Sequence, residues 1–156
     1  MDYRICAAED AELGALAALY DDYQAYLKSV GLTYDYRQGS AAEILRARLR
    51  SKLFRAFAAR VDGASVGFLI CSLQRLPSEY LCCGSAMLGY INDLYVAPQY
   101  RGNGIAGALV GAAEDWLRAS GVTAAELQIV AGNHAAECFW QSRGMQPVRT
   151  IHAKKL

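Results

Sequence analysis

The segment at residues 91–109 constrains this chain most, because an apolar strand pattern there leads through a turn and a glycine-rich loop directly into a helix pattern. Such a junction leaves the first backbone N–H groups of the helix without carbonyl partners, and the helix dipole adds about half a positive charge. Gly102 and Gly104 carry no Cβ, so the backbone can close around a ligand and adopt positive φ where the turn needs it. With Arg101 beside them, these glycines indicate a phosphate-binding loop.

Two kinds of nucleotide site use loops of this sort. The stretch from Gly102 to Gly107 satisfies the G-x-G-x-x-G pattern of dinucleotide-binding proteins. That pattern should open a βαβ unit, and an acidic residue should end the next strand to hold a ribose. Here the loop lies in the second half of the chain, and the next strand pattern begins near Glu126, so that its one acid lies at the start and not at the end. The context therefore disfavours a nicotinamide or flavin site.

The other kind of site is carried by two motifs. Residues 99–106, Gln-Tyr-Arg-Gly-Asn-Gly-Ile-Ala, resemble the Q/R-x-x-G-x-G/A pyrophosphate loop of the GNAT superfamily of acetyl-CoA-dependent N-acetyltransferases. Residues 133–145 are similar to that family's N-x-x-A-x-x-F-Y-x-x-x-G-F/M segment. Both motifs occur in the family's order, and the resemblance is specific over residues 88–148. It implies the GNAT fold, acetyl-CoA as the acetyl donor and an amine as the acceptor.

The composition is that of one globular domain, so we predict a single N-acetyltransferase domain over residues 1–156. Apolar residues make up 54% and charged residues 20% of the chain. The net charge of +1 gives no reason to expect nucleic acid or an anionic membrane as a partner. No apolar run approaches the roughly 20 residues of a membrane span, and no signal peptide is apparent, so we expect a cytoplasmic protein. The five cysteines lack zinc spacing, and we expect no metal.

Hydrophobic periodicity predicts the order β-α-α-β-β-β-α-β-α-β, an α/β fold in which helices flank a mixed sheet. We expect strands at residues 3–7, 53–61, 65–73, 87–96, 127–130 and 146–152, and helices at 10–28, from 40, from 105 and at 135–143. Asp62 and Gly63 predict a hairpin turn, and Ser40 with Glu43 predicts a capping box. GNAT proteins usually end in two strands. The missing one is either lost or supplied by a partner chain, which would make a homodimer.

The resemblance also implies how the cofactor is held. The strand before the loop splays from its neighbour, and its unpaired backbone groups at Leu94 and Val96 bond the pantetheine arm and the acetyl carbonyl. A backbone N–H aimed at the developing oxyanion stabilises the transition state. The other cofactor-binding residues that the resemblance implies are Arg101, Gly102, Asn103, Gly104, Ile105, Ala106, Asn133, Phe139 and Trp140. Asn133 also suits a helix N-cap, and Phe139 also suits a core position.

The catalytic groups are where this chain departs from the family. Trp140 stands where members commonly carry the tyrosine that protonates the departing thiolate, and an indole N–H does not ionise usefully. Tyr95 is a candidate acid, although packing explains this residue better. An alkylamine is mostly protonated at neutral pH, and Asp93 is the best-placed carboxylate to deprotonate it. Alternatively, Asp93 braces the splayed strand. The alternative hypothesis is that the chain is a CoA-binding module that has lost catalysis and acts as a sensor or regulatory partner.

The acceptor region is indicated by aromatic and acidic side chains. Half of the ten tyrosines and three aspartates fall within residues 20–36, a region that covers the acceptor pocket in the family. Such a lining suits a cationic amine. Tyr20 and Tyr23 lie on the apolar stripe of the first helix, whereas Tyr34 and Tyr36 lie off it, so we predict the latter two as substrate-binding residues. The expected reaction moves the acetyl group to a primary amine of a small molecule, amino acid or peptide by direct attack in a ternary complex.

Overall fold

The computed structural model describes residues 1–154 and contains within them five strands and four α-helices. The strands are β1 (Arg4–Ala7), β2 (Phe54–Val61), β3 (Ala64–Arg75), β4 (Met87–Val96) and β5 (Ala125–Leu127). The helices are α1 (Leu13–Ser29), α2 (Ala41–Arg50), α3 (Ile105–Ala119) and α4 (His134–Ser142). Short 3-10 turns at Asp10–Glu12 and Pro98–Tyr100 precede α1 and the loop before α3.

The strands form one mixed sheet in the order β1-β2-β3-β4-β5. Strands β1 to β4 pair antiparallel in sequence, and β5 runs parallel to β4 after the crossover through α3. Asp62 and Gly63 join β2 to β3 with φ of 49° and 83°, which is the doubly left-handed turn that matches strand twist. The predicted fold class and the predicted hairpin turn are both confirmed.

Each face of the sheet carries its own hydrophobic core, because successive strand side chains alternate between faces. On one face Phe68, Ile70 and Tyr95 pack against α1 and α2, whose buried side chains include Leu16 and Leu45. The opposite core lies under α3 and α4, and its buried members are Phe57, Ala59, Val61, Val66, Leu69, Cys71, Ile91, Val96, Ile105, Leu109, Val110, Ala113 and Trp140. The sheet therefore separates the α1/α2 face from the α3/α4 face.

Strand β4 loses its neighbour halfway along its length. In the described residues β4 pairs with β5 from Gly89 to Ile91, yet β4 itself continues to Val96. The Ala97 N–H donates to the Val66 carbonyl at 2.9 Å, and bonded pairs alternate along an antiparallel ladder. The backbone groups of Val96, and by the same alternation those of Leu94, consequently face away from β3 into the gap where β5 has ended. The predicted splay is present.

A β-bulge lies at the point where the splay begins. Cys71 opposes Ile91 and Ile70 opposes Asp93, so that Asn92 is the extra residue of β4. Bulges bend and twist the strand that carries them. The side-chain oxygen of Asn92 is buried without a hydrogen-bond partner in the described part of the chain. The bulge therefore helps to turn β4 away from β5.

Two local predictions are wrong, and the strand predicted at 127–130 lies earlier in the chain, at Ala125–Leu127. Residues 146–152 form no strand; the chain from 145 to 154 lies outside any helix or strand, with Val148 and Ile151 exposed. Pro147 has no N–H to donate, and β5 offers an edge of three residues, so pairing has little to gain there. Arg149 pairs instead with Glu126 on β5. The homodimer stays a prediction.

The capping box at α2 also does not form. Ser40 has a helical backbone (φ −85°, ψ −7°) where a capping residue is normally extended. Its hydroxyl donates backwards to the Arg37 carbonyl at 2.7 Å, and the Glu43 carboxylate pairs with the Arg37 guanidinium at 3.1 Å. Both side chains therefore stabilise the turn before α2 and leave the first N–H groups of the helix uncapped.

Across residues 1–154, no helix combines the length and the apolar character needed to cross a bilayer.

Gly67 lies on β3 close against the backbone of β4. A Cβ there would stand 2.8 Å from the Tyr95 carbonyl oxygen and 3.2 Å from the Val96 side chain. We expect Gly67→Ala to lower the free energy of unfolding by about 1–3 kcal/mol, because the backbone must shift. Gly111→Ala in α3 is the control, because its Cβ would meet nothing within 4 Å. We expect this variant to raise the free energy of unfolding by about 0.5–1 kcal/mol. Denaturant unfolding of both variants measures this, and an equal response would contradict the steric account.

Candidate active site

The loop before α3 has the geometry of an anion site. Gly102 and Gly104 adopt φ of 78° and 81°, a conformation that side chains disfavour. Gly104 is the residue that precedes the helix, and no side chain caps it. The first N–H groups of α3, at Ile105 and Ala106, thus keep their capacity to bind an anion.

Asn103 braces this loop from within. Its side-chain amide donates to the carbonyls of Tyr100 at 3.2 Å and Arg101 at 3.1 Å. These two bonds hold the loop in one shape before any ligand arrives. The side-chain amide of Asn103 is already engaged in these bonds. The predicted cofactor contact at Asn103 would therefore be made by its backbone N–H.

The Arg101 side chain lies away from the loop, across the end of β4. Its Nε donates to the Val96 carbonyl at 2.9 Å. The guanidinium carbon lies 5.1 Å from the ring centroid of Tyr26 and 5.6 Å from that of Tyr95, both within cation–π range. Arg101 thus places a positive charge at the mouth of the splay, on the α1 side of β4, and covers the carbonyl that the sequence analysis assigned to the cofactor.

The second motif forms the opposite wall of the splay. Asn133 is buried and caps α4, its Oδ1 accepting the N–H of Ala136 at 3.2 Å, which is the N-cap role foreseen from sequence. The same oxygen accepts the hydroxyl of Tyr26 at 3.0 Å. Phe139 and Trp140 pack edge to face with centroids 5.0 Å apart in the core under α3 and α4. Trp140 is therefore a core residue whatever else it contacts.

Asp93 lies on the α1/α2 face and forms an ion pair with Arg48 of α2. Burial raises the pKa of this carboxyl, and the Arg48 guanidinium opposes the rise. The guanidinium also lies 5.9 Å from the Tyr20 ring centroid and 5.8 Å from that of Phe54. A carboxylate held in this way has little access to an amine. The geometry favours a bracing role for Asp93 over that of a base.

Arg48 and Tyr26 are the residues that sequence reasoning missed. Arg48 follows Ile44 by one helical turn on the apolar side of α2, and an arginine in such a place signals a buried acid nearby. Tyr26 follows Tyr23 at helical spacing on α1, which placed it in the tyrosine cluster without singling it out. Tyr95, the candidate acid, is buried among these rings, with centroids 5.9 Å from Tyr23 and 6.5 Å from Tyr26, and burial raises its pKa.

The two predicted substrate residues line one shallow cavity. The cavity measures about 290 Å³ and lies between α1 and the α1–α2 connection. Tyr36 donates to Asp21 at 2.8 Å and packs on Tyr20, while Tyr34 is 68% exposed. Three successive ring contacts, through Tyr20 and Tyr23, lead from Tyr36 to Tyr95 at the splay. A chain of packed rings thus runs from the cavity to the gap.

The class of N-acetyltransferases is indicated by three features together. Strand β4 splays from β5, the uncapped N-terminus of α3 follows Gly104 beside the splay, and both sequence motifs are present. The model of the acetyltransferase (GNAT) family matches residues 5–145. The chain belongs to this family.

The individual proteins that the chain resembles share a third of its residues or fewer over the matched regions. The chain is 32% identical over 91 residues to aminoglycoside N(6′)-acetyltransferase type 1 of Klebsiella aerogenes, a match that covers 58% of each chain. The solved aminoglycoside N-acetyltransferase AAC(6′)-Iy in complex with CoA superposes with a TM-score of 0.82 at 17% identity, covering 99% of this chain and 95% of that one. AAC(6′)-Ih of Acinetobacter baumannii gives 0.78 at 18%, covering 99% of both. These structural matches establish the fold.

Proposed function

We propose that the protein transfers the acetyl group of acetyl-CoA to a primary amine of a small, cationic molecule by direct attack in a ternary complex. The observation that carries this proposal is the gap between β4 and β5, which opens beside the uncapped N-terminus of α3. A helix N-terminus suits a pyrophosphate, and a gap lined by strand backbone groups that no neighbouring strand pairs with suits the amide-rich pantetheine arm. Both features occur side by side.

The proposed cofactor path runs from the loop into the gap. The pyrophosphate lies on the N–H groups from Gly102 to Ala106, where positive φ and the absence of Cβ atoms permit a close approach. The pantetheine arm then follows β4 past Leu94 and Val96, and the Asn133 amide nitrogen donates to one of its carbonyls. A backbone N–H of β4 stabilises the oxyanion that forms when the amine attacks.

The proposed acceptor is a small molecule with several amines. Similarity to an aminoglycoside N(6′)-acetyltransferase supports an amino sugar as the first candidate. The cavity at Tyr34 and Tyr36 supplies aromatic faces, and the Asp21 carboxylate lies 2.8 Å from the Tyr36 hydroxyl. Aromatic faces and a carboxylate together attract an ammonium group.

Free-thiol release tests this function. The protein is mixed with acetyl-CoA and with an aminoglycoside that carries a 6′-amine, its 6′-hydroxyl counterpart, or a peptide with a free N-terminus. We expect thiol release to be faster with the 6′-amine compound than with either of the other two acceptors. Its rate should rise with pH, because more of the amine is then unprotonated. Acetyl-CoA binding without thiol release from any amine would contradict the proposal and favour the sensor alternative that Trp140 suggests.

A further inference from the structure

The proposed reaction leaves one proton without a donor. When the C–S bond of the thioester breaks, the electron pair stays on sulfur, and the departing thiolate must be protonated to leave as CoA thiol. An ordinary thiol has a pKa of about 8.5, so a nearby acid assists at neutral pH. Trp140 cannot supply the proton, since its indole does not ionise usefully and its side chain lies in the core under α3 and α4.

Tyr26 spans the mouth of the splay from the α1 side. At one wall its ring lies 5.1 Å from the Arg101 guanidinium, which is itself anchored to the Val96 carbonyl of β4. At the other wall its hydroxyl donates to Asn133, the residue that caps α4 beyond the end of β5. The hydroxyl therefore lies across the gap that a thioester must enter, and the side chain is half-buried.

The surroundings of Tyr26 also suit a proton donor. Arg101 from the loop faces the ring, and a cation there stabilises a phenolate. The phenols next to it are those of Tyr95 on β4 and Tyr23 on its own helix, both neutral near pH 7. Asp22, one helical turn before Tyr26, is exposed and adds a negative charge on the side of Tyr95. Asn133 is uncharged, and its Oδ1 accepts the hydroxyl proton until a thiolate, a stronger base, competes for it.

We propose that the hydroxyl of Tyr26 protonates the departing CoA thiolate. It would take the role of the tyrosine that this family commonly carries at the position of Trp140. This inference rests on the proposed acetyl transfer. The amine nitrogen first forms the C–N bond, which gives the oxyanion. The C–S bond then breaks, and the Tyr26 hydroxyl turns from Asn133 Oδ1 and passes its proton to sulfur. The resulting phenolate, held beside Arg101, takes up through water the proton that the new amide nitrogen loses, which restores the phenol and balances the reaction.

Tyr26→Phe tests this assignment, because it removes the hydroxyl and keeps the ring. We expect kcat to fall roughly 10- to 100-fold while the Kd of acetyl-CoA changes less than threefold. Tyr23→Phe is the matched control, since it removes a neighbouring hydroxyl that bonds no described side chain, and its kcat should stay within twofold of wild type.

A donor with a better leaving group separates proton donation from structural support. With the selenium analogue of acetyl-CoA, the departing selenolate is less basic and needs little protonation, so the Tyr26→Phe defect should shrink to less than threefold. A defect of equal size with both donors, or kcat within threefold of wild type with acetyl-CoA, would overturn the assignment. Absence of turnover in the wild-type protein would instead contradict the acetyl transfer itself.

Discussion

Replacing Arg48 by methionine is expected to lower the free energy of unfolding by about 2–4 kcal/mol at neutral pH. The change leaves the Asp93 carboxylate, whose side chain is 10% exposed, without its counter-charge beneath α1 and α2. Breaking a fully buried ion pair in this way commonly costs about 3–5 kcal/mol, and the 24% exposure of the Arg48 side chain reduces that figure. Denaturant unfolding of Arg48→Met against wild type gives the value.

The size of this effect should depend on pH. Burial already raises the pKa of Asp93, and removal of the opposing Arg48 charge raises it further. A carboxyl with a raised pKa binds its proton more tightly in the folded than in the unfolded chain. Its contribution to stability is therefore full below the unfolded pKa of about 3.9 and is lost as pH rises through the folded pKa. The deficit of Arg48→Met should be smallest below about pH 4 and grow towards neutrality.

The double variant Arg48→Met, Asp93→Asn supplies the control. It removes the unpaired charge, so it should recover most of the lost stability and show little dependence on pH. If Asp93 braces β4, the double variant should also keep acetyl transfer within tenfold of wild type. A deficit for Arg48→Met that is independent of pH would contradict the ion-pair account, and loss of turnover in a stable double variant would restore Asp93 as the base.

The sheet could be predicted from sequence because its signals are local. Apolar alternation marked β4, the Asp62–Gly63 pair marked the hairpin, and the glycines at 102 and 104 marked the start of α3. Each of these signals comes from the backbone preference of a few adjacent residues. The α/β class and the position of the candidate cofactor loop therefore followed from the sequence.

Side-chain partners across the fold could not be predicted in the same way. The pairs Arg48 with Asp93 and Tyr26 with Asn133 join residues that lie 45 and 107 positions apart. Periodicity assigned Tyr26 to a helix and Asn133 to an N-cap, but it contains no information on which residues meet across the splay. The strand predicted at 146–152 failed for a similar reason, because pairing depends on the length of the edge offered by β5.

Replacing Gly104 by leucine is expected to weaken acetyl-CoA binding by roughly a hundredfold, the equivalent of about 3 kcal/mol from charge-assisted hydrogen bonds. The new Cβ would stand 3.4 Å from the Tyr3 hydroxyl, and the side chain would add bulk at the residue that opens the proposed pyrophosphate site. Gly121→Leu is the matched control, since Gly121 ends the same helix with φ of 82° against 81° for Gly104. Both variants carry the same left-handed strain of about 1–2 kcal/mol, and only one lies at the proposed site.

Calorimetric titration of acetyl-CoA into the wild-type protein and these two variants tests the central claim most directly. We predict micromolar or tighter binding to wild type with one molecule per chain, an unchanged Kd for Gly121→Leu, and a Kd about a hundredfold higher for Gly104→Leu. Absence of binding to the wild-type protein at high micromolar acetyl-CoA, or equal affinity in the two leucine variants, would contradict the placement of the cofactor at the N-terminus of α3.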